Sequence, residues 1–77
     1  MKELLEAMAR GLVEDKDAVN VTVDEPNEEG VIVYHLSVAE GDVGRVIGKQ
    51  GRIAKALRTI MRSAAVKRGE HVMVEID

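Results

Sequence analysis

Gly48 and Gly51 enclose Lys49 and Gln50 in the middle of the segment Val43-Gly44-Arg45-Val46-Ile47-Gly48-Lys49-Gln50-Gly51-Arg52-Ile53. Glycine serves where a chain needs positive φ or where another backbone must come close, and a pair flanking Lys-Gln between two helices meets both conditions. A helix beginning at Arg52 would aim its free N–H groups and the positive end of its dipole at whatever occupies the joint. Lys49 and Arg52 add mobile positive charge, and Gln50 can donate or accept hydrogen bonds with a sugar or a phosphate. The chemistry on offer is the holding of an anion.

Phosphate motifs that belong to enzymes fit this segment poorly. A Walker-type loop needs four residues between its first Gly and the Gly-Lys pair, then Ser or Thr for magnesium. Gly44 and Gly48 are separated by three, and Gln50 stands where the hydroxyl would be. A dinucleotide fingerprint needs Gly-x-Gly, which the segment lacks. His35 and His71 are isolated in the sequence and argue for no zinc site. Ser37 and Ser63 have no His/Asp constellation, and no carboxylate pair accompanies a positioned nucleophile. With no Cys, thiolate metal sites and disulfides are excluded, and a reducing cytoplasmic setting fits best. No catalytic residue, metal or cofactor is expected, and the apolar runs are too short for a membrane span.

The charge pattern points to the kind of anion. Net charge is −3, yet Val43 to Gly69 carries eight basic residues (Arg45, Lys49, Arg52, Lys55, Arg58, Arg62, Lys67, Arg68) and no acidic one. All 14 acids and the other three bases lie elsewhere. An ordinary exposed helix mixes signs to gain pairs three or four residues apart. A basic segment confined to one stretch of an acidic chain is the footprint of a nucleic-acid site.

The elements that must position these residues are legible from periodicity. Leu4, Leu5, Met8 and Leu12 recur at helical spacing, with Glu3 and Glu6 in the favourable first turn, and predict a helix over about Lys2 to Val13. Asp15 to Asp17 is a polar break. Val19, Val21 and Val23 then alternate with polar residues as a half-buried strand, and Glu25 to Gly30 reads as a turn. Val31 to Val38 is a second strand, close enough to pair with the first as an antiparallel hairpin. Asp42 is the expected N-cap of a brief helix from Val43 to Ile47, which Gly48 stops. Ile53, Leu57, Ile60, Met61 and Ala64 predict a longer helix, about Arg52 to Lys67, ended by Gly69. Val72, Val74 and Ile76 alternate as a third strand. Tyr34, the sole aromatic, together with Met61 and Met73, reads as packing.

The order is α-β-β-α-α-β. The last two strands, joined through helices, should run parallel with a right-handed crossover. The expected class is α+β: a mixed three-stranded sheet with helices on one face, as one domain over residues 1–77.

Val46-Ile47-Gly48-Lys49-Gln50-Gly51-Arg52-Ile53 resembles the core signature of the KH domain, a hydrophobic pair followed by GxxG and then an aliphatic residue. That module clamps about four nucleotides by their backbone. The element order is similar to the type II, prokaryotic KH fold over essentially the whole chain, and the run Gly44 to Ala56 looks most like the small stand-alone bacterial KhpA or YlqC-like family.

The resemblance implies an RNA chaperone or post-transcriptional regulator that binds single-stranded RNA. Gly48 and Gly51 would let the RNA backbone pass, and Lys49 and Gln50 would face its phosphates. Bases would lie in a groove between the helices and a strand, with Gly44, Arg45, Ile47 and Ile53 as candidates for its lining. Ile47 and Ile53 read equally as core. Arg52 and Lys55, in the first turns of the long helix, could reach the same strand of RNA, whereas Arg58 and Arg62 read equally as a solvated face. Without Phe or Trp there is no aromatic stacking platform, so one domain should bind modestly and with loose sequence preference. A second KH unit would raise effective concentration, either as a homodimer or through a larger KH-containing protein of the KhpB, Jag or EloR type, which the resemblance adds as a partner.

Overall fold

The computed structural model describes all 77 residues. Helix α1 spans Lys2–Arg10, β1 Asn20–Val23, β2 Val31–Ser37, α2 Val43–Ile47, α3 Arg52–Lys67 and β3 His71–Ile76. The order is therefore the expected one. Strand β2 is central, antiparallel to β1 and parallel to β3, with Val21 opposite Leu36 and Tyr34 opposite Val74. This is the α+β arrangement of a type II KH fold.

Alternation along the strands decides which side chains meet the helices. Val21, Tyr34, Leu36 and Val74 point to the helical side and join Leu5 and Ala9 of α1 and Leu57 and Met61 of α3 in one buried cluster. Leu5, Leu36 and Met61 are wholly enclosed, each contributing about 1.5–3 kcal/mol through apolar burial. The same parity overturns the reading of Met73. It lies between inward-facing Val72 and Val74, so it is turned to the outer face and is 52% exposed.

Two helices differ in detail from their periodicity. Helix α1 ends at Arg10, three residues earlier than its apolar spacing suggests. Gly11 is a poor helix former, and the chain unwinds there while Gly11 N–H and Val13 N–H bond the carbonyls of Ala7 and Ala9. On α3 the buried stripe is Ala54, Leu57, Met61 and Ala65, so the stripe is rotated and Ile60 is left 45% exposed. Two of the four positions of that stripe are Ala, which a count of large apolar residues does not reveal.

The hairpin turn is built on Asn27, whose Oδ1 accepts from the N–H of Glu29 and of Val31 at 2.9 and 3.0 Å. Asp42 is not the side-chain cap of α2. Its carboxylate reaches back across the fold and accepts the backbone N–H of Glu14 at 3.3 Å and of Asp15 at 3.1 Å. Asp42, 5% exposed, thereby ties the segment after α1 to the start of α2.

Candidate nucleic-acid interface

The joint between α2 and α3 is shaped by three consecutive turns of hydrogen bonding. Gly48 N–H bonds the Gly44 carbonyl at 2.9 Å, Gly51 N–H bonds the Gly48 carbonyl at 3.1 Å, and Arg52 N–H bonds the Lys49 carbonyl. Gly48 has φ 77° and ψ 171°, a region essentially closed to residues with a Cβ. A Cβ there would also stand 2.6 Å from Ile53 Cγ1. Gly51, at φ 73° and ψ 15°, needs only the left-handed conformation, since a Cβ would enter open space. Gln50 shares that conformation at φ 58°, the only non-glycine residue to do so. The pair Gln50-Gly51 forms a tight turn that presents Lys49 and Gln50 to solvent.

Helix α3 opens from this turn with no side-chain cap and no acidic residue in its first turn. Its dipole end therefore has no anionic partner from the chain itself. Lys49, Gln50, Arg52 and Lys55 are all exposed beside it, with Arg52 Nη2 donating to Gln50 Oε1 at 3.3 Å. Among the basic residues from Val43 to Gly69, only Arg45 and Arg68 have acidic partners. Lys49, Arg52, Lys55, Arg58, Arg62 and Lys67 are uncompensated.

Arg45 is placed differently from these. Its Nη2 donates to Glu14 Oε1 at 2.7 Å and its Nε lies 3.1 Å from Asp42 Oδ1, so two carboxylates neutralise it. The N–H bonds from Asp15 and Glu14, with Arg45 beside them, hold the Asp42 carboxyl below its ordinary value of 3.8. Gly44 is exposed next to it, and Ile47 is also exposed whereas Ile53 is partly buried against the core.

Helix α3 separates two hollows. One, about 420 Å³, lies between α1 and α3 and is lined by Ala7, Met8, Gly11, Leu12, Ile53 and Ala56, with Arg52 at its edge. The other, about 110 Å³, lies between α3 and β3 and is lined by Arg58, Arg62, Val72, Met73 and Val74. Arg58 Nε donates to the Val74 carbonyl at 3.2 Å, so this residue belongs to a helix-strand groove rather than to a plain solvated face. The exposed position of Met73 was the available signal for that groove, because it follows from strand parity alone.

His35 is also less isolated than its place in the sequence suggests. On the outer face of the sheet its Nε2 lies 2.8 Å from Asp24 Oδ2, while Nδ1 faces Glu75 and Asp77 at 3.5 and 3.9 Å. The hydrogen bond to Asp24 is the main cause raising its pKa above 6.5. The cluster joins His35 of β2 and Glu75 of β3 to Asp24 and Asp77, the residues that follow β1 and β3, and includes none of the residues of the joint.

A glycine-framed turn at an uncapped helix end, on an α-β-β-α-α-β sandwich, defines the class as a type II KH module. Residues 2–76 match the profile of the KhpA/KhpB KH domain, and the chain belongs to that RNA-binding family, which is not a family of enzymes. It is 53% identical over 76 residues to the RNA-binding protein KhpA of Clostridium acetobutylicum and 49% identical to that of Clostridium perfringens, covering 99% of this chain and of each relative. Among solved structures the fold is similar to that of Aquifex aeolicus Era, with a TM-score of 0.67 at 21% identity, covering 97% of this chain and 28% of that one. A second structure of Era, in complex with nucleotides of 16S ribosomal RNA, matches to the same extent. No helix of the chain is long and apolar enough to cross a membrane.

Proposed function

We propose that the chain grips single-stranded RNA at Gly48-Lys49-Gln50-Gly51, with Arg52 and Lys55 carrying the backbone onward and Gly44 leaving the approach to the turn open. The observation that carries this reading is the uncapped N-terminus of α3 flanked by exposed cations that have no acidic partner. Sugar-phosphate contacts of this kind position a strand without reading its sequence. Arg45 is assigned to holding the joint, since its charge is already met by Glu14 and Asp42. The cellular role that suits such a grip is that of a cytoplasmic RNA chaperone or post-transcriptional regulator.

A second KH unit is the partner that fits best, as a homodimer or as a KhpB, Jag or EloR-type protein. The apolar hollow between α1 and α3 supports this, because Arg52 at its edge would keep the two RNA grips close. Linked grips multiply modest affinities without new contacts.

The test is the double variant Lys49→Asp/Gln50→Asp, assayed by fluorescence anisotropy on a single-stranded RNA. Asp tolerates the left-handed conformation at position 50, so the fold should survive. Binding should fall by about tenfold or more as two like charges meet the phosphates. A folded variant that binds as the parent does would refute the grip.

A further inference from the structure

The outer face of the sheet carries a side-chain cluster that the RNA grip does not use. Strand parity assembles it. His35 is opposite Glu75 in the parallel β2–β3 register, so the two side chains stand together on the side away from the helices. Asp77, two residues beyond Glu75, keeps that side, and its N–H is held by the Leu36 carbonyl at 2.8 Å. Asp24 reaches the ring from the other flank. Its N–H bonds the Val33 carbonyl at 2.9 Å, which sets it diagonal to His35 across the antiparallel pair.

The imidazole sits between these acids in a definite sense. Asp24 Oδ2, 2.8 Å from Nε2, accepts that N–H and so directs the proton of the neutral ring to Nε2. Nδ1 then turns its lone pair toward Glu75 Oε2 at 3.5 Å and Asp77 Oδ2 at 3.9 Å. A lone pair and two carboxylates repel one another unless a cation stands between them. No Lys or Arg pairs with Asp24, Glu75 or Asp77 to supply one. A proton on Nδ1 meets that need with one bond; a metal ion meets it with three.

The three candidate ligand atoms lie within 4.8 Å of one another. Bonds of about 2.0–2.2 Å place the ligands of a tetrahedral zinc roughly 3.4 Å apart, so rotation of the half-exposed Glu75 and Asp77 side chains is enough to close the site. One imidazole nitrogen with two carboxylates suits zinc, whereas magnesium and calcium prefer oxygen alone. A carboxylate on the far ring nitrogen is the usual outer support of a zinc-bound histidine, and Asp24 stands there.

We propose that His35 Nδ1, Glu75 and Asp77 form a three-ligand site for a divalent zinc ion, with Asp24 as the positioning residue that orients the ring. The fourth position faces solvent and would take water. The bound ion would tie β2 to β3 on the face opposite the helices. The site shares no residue with the turn at Gly48 to Gly51 and is independent of the RNA reading.

The experiment titrates zinc chloride into the untagged, chelator-treated full chain above neutral pH, where the ring nitrogen is free for metal, and follows it by calorimetry and by the histidine ring signals in NMR. One zinc per chain should bind saturably, shifting the ring of His35 and sparing that of His71, which is exposed at the start of β3. Magnesium chloride should do neither. Asp24→Asn should weaken zinc by about tenfold or more and mix the two ring tautomers in nitrogen-15 spectra. The double variant Glu75→Gln/Asp77→Asn, shown to be folded by circular dichroism, should lose saturable binding, and His71→Ala should bind as the parent does. The NMR arm uses the parent alone, so it decides the matter even if a variant fails to fold. No saturable zinc uptake by the parent, shifts at His71 in place of His35, or parental affinity in the folded double variant would overturn the site and leave an ion-pair cluster around a protonated ring.

Discussion

Gly48 and Ile53 approach each other more closely than any side chain at position 48 allows, with Ile53 Cγ1 2.6 Å and Ile53 N 2.9 Å from where a Cβ would be. Gly51 has the same sign of φ but no neighbour within 4 Å of its Cβ position. The two glycines of the turn thus carry unequal loads. Gly48→Ala should cost about 3 kcal/mol or more, combining backbone strain and overpacking of about 1–3 kcal/mol each. Gly51→Ala should cost only about 1–2 kcal/mol for the left-handed backbone. Urea unfolding of both variants measures the difference, and equal losses would contradict the stated contact.

Asp42 joins two segments distant in sequence, through Glu14 N–H and Asp15 N–H on one side and Arg45 on the other. Its carboxyl titrates lower in the folded chain than the ordinary 3.8, held down first by the bond from Asp15. A depressed folded value means that the ionised form is the one favoured by folding. The stability Asp42 contributes is therefore present above pH 3.8 and is lost as pH falls through the lower, folded value. Asp42→Asn should be less stable than the parent at neutral pH and should show a shallower acid transition. A variant whose unfolding curves match the parent at neutral pH and through the acid transition would show that the clamp contributes nothing.

His35 has the opposite sign. Its pKa is raised above 6.5, first by the hydrogen bond to Asp24, so the protonated ring is favoured in the folded state. Its contribution is fully present below pH 6.5 and disappears as pH rises through the folded value. Proton NMR of the His35 ring should show titration above 6.5, and Asp24→Asn should move it down. The cluster lies on the outer face, away from the joint, so RNA affinity should not follow this titration. A His35 midpoint unmoved in Asp24→Asn would refute the assigned cause.

The elements were legible because each follows from neighbours along the chain. The Leu4, Leu5, Met8, Leu12 spacing, the alternating valines and the Gly48/Gly51 frame all act within a few residues. The features that the sequence does not show depend on tertiary contact. Asp42 carries every local mark of an N-cap, yet its carboxylate is claimed by N–H groups 27 and 28 residues away. Arg45 looked like one of a row of free cations until the fold brought Glu14 to it across 31 residues. Ile60 reads as core because it is large and apolar, but the buried stripe of α3 runs through Ala54, Leu57, Met61 and Ala65 instead. Arg58 reads in the sequence as a phosphate contact or a solvated face, and only the packing of α3 beside β3 puts it on the Val74 carbonyl, 16 residues away.

The separation of Arg45 from the other cations has a measurable consequence. Every phosphate neutralised by a free cation releases counterions, and for a single strand the logarithm of affinity falls against the logarithm of salt with a slope of about −0.7 per phosphate. Lys49, Arg52 and Lys55 have no acidic partner, so each is free to contribute such a contact. Replacing any one of them with Ala should make the slope shallower by roughly 0.7. Arg45 already has Glu14 at 2.7 Å and Asp42 at 3.1 Å, and binding RNA would require it to leave both. Arg45→Ala should leave the slope unchanged while lowering stability in urea. Glu14→Ala, by releasing one of those partners, should if anything steepen it. Anisotropy titrations over a range of potassium chloride concentrations separate the cases. A flat dependence in the parent would argue against phosphate contacts altogether, and a slope reduced as much by Arg45→Ala as by Lys49→Ala would return Arg45 to the RNA surface.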